Sequence, residues 1–99
     1  MKKATGKVIR AFRKHLGYTQ EFVADKLNIT ITTLANIENG RVGLDIEKLY
    51  YLSRVFAIPI RIVLDLIIEI FEKNSEDGLL NAIKELKGLS FQNLEPNEN

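Results

Sequence analysis

TQEFVADKLNITITTLANIENG, residues 19–40, reads as two short helices and the turn between them, and the rest of the chain is arranged around it. Thr19 is a natural N-cap, and Glu21 suits the positive first turn that follows. Val23, Ala24 and Leu27 form the inward stripe of a helix from Gln20 to Leu27. Asn28 ends that helix, because asparagine tolerates the left-handed conformation better than most residues. Thr30 caps a second helix from Ile31 to Glu38, with Leu34 and Ile37 inward and Ile29 packing just before the cap. Asn39-Gly40 stops it.

Four more helical segments are predicted outward from this stretch, and no convincing strand. The first runs from Gly6 to His15 on the apolar set Val8, Ile9, Ala11, Phe12 and Leu16, with Gly17 placed for a left-handed cap. Asp45 caps a helix carrying Ile46, Leu49, Leu52, Val55 and Phe56, which ends near Ala57. Pro59 opens the next, Ile60 to Lys73, which is apolar nearly all round and so must be buried on more than one side. A single domain of this size is expected to offer one side, leaving a partner chain or the last helix to cover the rest. That last helix runs from Leu79 to Leu89, with Phe91 and Leu94 as anchors beyond it and a polar, disordered end over 95–99. The expected division is a domain over 1–73 and a helical extension with tail over 74–99.

Ninety-nine residues with 45% apolar and 27% charged side chains suit one globular domain that folds without staples. The absence of cysteine excludes disulfides and thiolate metal sites. MKKATGKVIRAFRKH is basic but holds no apolar run of signal-peptide length, so a cytoplasmic protein is expected. Phe56 to Phe71 is cut by Pro59, Arg61, Asp65 and Glu69 and does not suit a membrane span. Charge is divided unevenly. Residues 1–44 carry eight Lys/Arg against three Asp/Glu, a balance of +5, and residues 45–99 carry six against ten, a balance of −4. Halves of opposite sign suggest an anion-binding front and a neutral or acidic back.

The turn Asn28-Ile29-Thr30 is too tight for antiparallel helices, so the two must cross steeply, as helix-turn-helix units do. Thr19-Gln20-Glu21, Ala24, Leu27, Ile29, Leu34, Ile37 and Glu38-Asn39-Gly40 together resemble the lambda-repressor and Cro-like family, also called the xenobiotic-response-element (XRE) family. The resemblance extends to Arg13, Leu49, Leu52 and Ala57-Ile58-Pro59, and covers Gly6 to Phe71. It implies an all-α, five-helix lambda-repressor-like DNA-binding domain with an extra C-terminal helix. It also implies a transcriptional regulator, a repressor above all, bound to a palindromic operator in double-stranded DNA as a homodimer.

Residue roles follow from the same resemblance. Ile31, Thr32 and Asn36 would read bases, asparagine through adenine N6 and N7 and Ile31 through a thymine methyl. Gln20, Thr30, Asn39, Arg41 and Lys26 would hold phosphates. Arg13 and Glu38 would form a structural ion pair. Ile60, Val63, Leu64, Ile67, Ile70 and Phe71 would make the dimer seam, on the strength of the over-apolar helix. The chain departs from the family pattern at Asn28, where glycine is usual, and at Phe22, where a glutamate would complete a capping box. The second helix of the motif carries no Lys or Arg, so phosphate contacts from Arg41, Lys26 and the basic segment Lys2, Lys3, Lys7, Arg10 and Lys14 must supply affinity.

The alternative is an antitoxin-type protein whose extension, residues 79–94, docks a protein partner. Catalysis finds no support: His15 is the single histidine, no carboxylate pair suggests a pocket, and Gly40 and Gly43 form no phosphate loop because no strand precedes them. No cofactor and no metal are expected.

Overall fold

In the computed structural model, which describes residues 1–85, three helices begin on side-chain caps. Thr19 Oγ1 accepts from the Phe22 N–H at 3.0 Å, Thr30 Oγ1 from the Thr33 N–H at 3.0 Å, and Asp45 Oδ1 from the Lys48 N–H at 2.8 Å. Each satisfies a donor that the helix itself cannot. The helices are α1 (Lys2–His15), α2 (Gln20–Leu27), α3 (Ile31–Glu38), α4 (Ile46–Phe56) and α5 (Ile60–Lys73), with α6 over residues 79–85. No strand occurs among the described residues. The fold is the all-helical one expected.

The helix ends follow the same local logic. Gly17, Asn28, Gly40, Ala57, Asn74 and Gly78 all have positive φ and turn the chain out of a helix or into the next one. Gly17 closes α1 with the Tyr18 N–H on the Arg13 carbonyl at 2.9 Å. Asn28 takes the left-handed cap of α2 at φ 57.

α1 packs against α3 and α5, α2 against α3 and α4, and α4 against α5. Phe12 and Phe56, both fully buried, stack at 5.5 Å in the centre. Val8, Ile9, Val23, Leu34, Leu52 and Val63 surround them.

Three expectations need correction. α1 begins at Lys2, not Gly6. Gly6 lies inside the helix because α1 crosses the end of α3 there; an added Cβ would stand 2.4 Å from the Ile37 carbonyl oxygen. Val63, Ile67 and Ile70 belong to this chain's own core rather than to a seam with a partner. Of the two covers expected for α5, the last helix supplies one: Leu79 and Ile83 of α6 join the same core. By the same packing, α6 turns Leu79 and Ile83 inward, so that part of the supposed docking arm is already occupied. Ile60 and Leu64 are half-buried, and Ile68, Phe71 and Leu80 are exposed. The expected helix end at Leu89, the anchors Phe91 and Leu94 and the polar end 95–99 lie outside the described residues.

Candidate nucleic-acid interface

The candidate interface is the outer side of α3. Leu34, Ile37 and Glu38 point inward, which turns Thr32 and Asn39 out to solvent and leaves Asn36 half-buried between them. Ile31 is exposed at the first position of the helix. Thr32, Asn36 and Asn39 share one face because they are spaced four and three residues apart. Thr30 stands before them, its hydroxyl accepting from the Thr33 backbone and lying 2.9 Å from the Thr33 hydroxyl.

A buried polar cluster fixes this helix from behind. Arg13 Nε donates to Glu38 Oε2 at 2.6 Å, and Arg13 Nη2 to Glu38 Oε1 at 3.0 Å. The pair is bidentate, and its side chains are 10% and 2% exposed. Arg13 Nη1 also donates to the Tyr18 carbonyl at 2.9 Å. Gln20 Nε2 donates to Glu38 Oε1 at 3.0 Å. One carboxylate therefore ties α1, the first residue of α2 and the last residue of α3 together. Gln20 is half-buried and turned toward Glu38, which gives it a bracing part.

Basic groups gather at the exit of α3. The chain turns at Gly40, φ +76, where an added Cβ would stand 2.9 Å from Lys3 Cα. Lys2 lies beside Gly43. Lys2, Lys3 and Lys7 line a cleft with Gly40, Ile70 and Phe71. Lys3, Lys7, Arg10 and Lys14 are all exposed, and their spacing puts them within an arc of about 60° on the side of α1 opposite the core. None of the four has an acidic partner among the described residues.

Arg41 reaches back over α3, its Nη1 donating to Asn36 Oδ1 at 3.4 Å. Sequence reasoning missed this contact. Its signal was present in Asn39-Gly40, because a left-handed glycine after a helix folds the next residue back onto the helix. Lys26 is placed elsewhere. It lies 5.4 Å over the Phe22 ring, in a groove shared with Tyr51, Arg54 and Val55 of α4. The acidity of Asp45, the cap of α4, is displaced. The Lys48 backbone N–H lowers its pKa, against an opposing desolvation, and the Lys48 charge lowers it further.

Residues 9–63, more than half of the chain, match the helix-turn-helix family. The chain is a helix-turn-helix protein of the XRE type. The competence pilus inhibition repressor of Acinetobacter baylyi is 35% identical to this helix-turn-helix protein over 51 residues, 52% of this chain and 46% of that one. The HTH-type transcriptional regulator YazB of Bacillus subtilis is 54% identical over 35 residues, 35% of this chain and 51% of that one. The chain spans about half the length of the curated relatives it matches. Two crystal structures of the clp gene regulator ClgR from Corynebacterium glutamicum align with TM-scores of 0.64 and 0.68. Their identities are 24% and 20%, over 69% and 84% of this chain and 88% and 89% of theirs, a likeness of fold. No helix among the described residues is long and apolar enough to cross a membrane. No group of three or more His, Cys, Asp or Glu among them could hold a metal.

Proposed function

We propose that this helix-turn-helix protein is a cytoplasmic, sequence-specific repressor that binds a palindromic operator as a homodimer. The observation that carries the reading is the outer side of α3. Ile31, Thr32 and Asn39 are exposed and Asn36 is half-buried between them, on a helix that Arg13, Glu38 and Gln20 hold from behind. A helix so presented, with small polar side chains, suits entry into the major groove. Thr30 and the lysines near Gly40 hold phosphates and set the register. A relative named as a repressor supports the sign of regulation.

Two copies place their α3 helices about 34 Å apart on successive turns of one face of DNA. On α5 and α6, Ile60, Leu64, Ile68, Phe71 and Leu80 are among the apolar side chains left accessible for pairing. Selection from a randomised duplex library, followed by titration at several salt concentrations, tests the proposal. Recovered sites should be two-fold symmetric. With about four phosphate contacts per subunit, log affinity should fall against log salt with a slope of about −7. Sedimentation at micromolar concentration should show a dimer. No enriched sequence, or a monomer that binds a single half-site, would refute the reading.

A further inference from the structure

We infer that Arg41 is a base-reading residue directed at a guanine in the major groove, and that Asn36 is its positioning residue. The inference rests on the DNA-binding reading above and changes the part given to two of its residues.

The backbone makes the argument first. At the exit of α3 the Gly40 N–H bonds the Ile37 carbonyl at 3.1 Å, and the Arg41 N–H bonds the Asn36 carbonyl at 2.9 Å. The Val42 N–H reaches the same carbonyl at 3.4 Å. With Gly40 at φ +76, this is the Schellman arrangement. It sets the residue after the glycine beside the residue five positions earlier, and an apolar contact often joins the two. Here that contact is polar: Arg41 Nη1 donates to Asn36 Oδ1. The turn has little freedom to relax, because Lys3 packs directly against Gly40.

Position and chemistry then agree. Asn36 lies in the middle of the outward face, between Thr32 and Asn39. A guanidinium held over it is carried onto the face that enters the groove, whereas a phosphate clamp belongs at the rim. α3 itself contains no Lys or Arg, so Arg41 brings to this face the cation it otherwise lacks. One of the five guanidinium N–H groups is spent on Asn36, and four remain. Two of these, in their fixed fork, match guanine O6 and N7. Asn36 meanwhile has its Oδ1 engaged by a cation, which disfavours its use on the adenine amino group.

The test uses the full chain and a duplex recovered by selection from a randomised library, with each position of the half-site varied in turn. Wild-type protein should require guanine at one position per half-site. Arg41→Ala should abolish that preference, a loss of about 5- to 150-fold in discrimination, with the other positions unchanged. Asn36→Ala should weaken the same guanine preference while Arg41 is intact. Arg41 is exposed and Asn36 half-buried, so both variants should fold, which circular dichroism verifies. The inference is overturned if Arg41→Ala weakens every sequence by one common factor and reduces the salt slope by about 0.9, the behaviour of a phosphate contact. It is also overturned if Asn36→Ala alters an adenine preference and leaves guanine untouched. Failure of the wild-type chain to enrich any sequence would overturn the DNA-binding reading itself, a separate outcome.

Discussion

Glu38→Ala removes the acceptor on which three segments converge. Arg13 then loses both of its bonds to the carboxylate and keeps the Tyr18 carbonyl at 2.9 Å, while Gln20 loses its bond to Glu38. The guanidinium remains buried, since its side chain is 10% exposed. Leaving such a charge without its partner costs about 3–5 kcal/mol. A domain of this kind has about 5–15 kcal/mol in total. At about 4–8 °C per kcal/mol the melting temperature should fall by at least about 12 °C. Urea and thermal melts followed by far-ultraviolet circular dichroism measure this directly. The double variant Arg13→Met/Glu38→Leu should recover most of the loss, because both charges leave together and apolar groups fill the space. A cost for Glu38→Ala below about 1 kcal/mol, the worth of an exposed pair, would refute the reasoning. So would a double variant no more stable than Glu38→Ala alone.

Gly6→Ala should destabilise by about 1–3 kcal/mol, the cost of overpacking, where an open helix would gain about 1 kcal/mol from the same change. A higher melting temperature would mean that α1 does not touch the end of α3. Ala57 holds φ 60 and ψ 37 with a side chain, so Ala57→Gly should raise stability by up to about 1 kcal/mol. An unchanged or lower urea midpoint would show that the left-handed cap is unstrained. Asp45→Asn keeps a capping oxygen and removes the charge, and here pH decides the outcome. The folded-state pKa of Asp45 is lowered, so the advantage of wild type is present above the ordinary carboxylate range. It should vanish as pH falls through the lowered value, and a difference in melting temperature that widens with acidification would contradict this.

The bounds of α2, α3 and α5 were legible in the sequence, because Thr19, Thr30, Asn28 and Pro59 act through bonds to near neighbours. The start of α1 was not. Gly6 looks like a break until the Ile37 and Glu38 carbonyls are seen against it, and that contact joins residues some thirty positions apart. The apolar circumference of α5 called for a partner chain or the last helix, and periodicity does not choose between them; the return of Leu79 and Ile83 to the core does. At the interface, the outward turn of Thr32 and Asn36 follows from helical spacing alone. The pairing of Arg41 with Asn36 depends on the φ of one glycine. The placement of Lys26 over Phe22 depends on how α2 sits on α4, which no local rule specifies.

α1 has two faces with separate duties. Its inner face is held by Ala4, Val8, Ile9 and Phe12 in the core, by Gly6 at the crossing and by Arg13 in the polar cluster. Its outer face bears Lys3, Lys7, Arg10 and Lys14, spread over about 17 Å of helix and bonded to no acidic side chain among the described residues. Mutations on the outer face change the attraction for a polyanion without disturbing what makes the domain fold. On the proposed function, selection can therefore adjust occupancy of DNA by exchanging surface charges one at a time, while drift on the inner face is confined to changes that preserve the crossing.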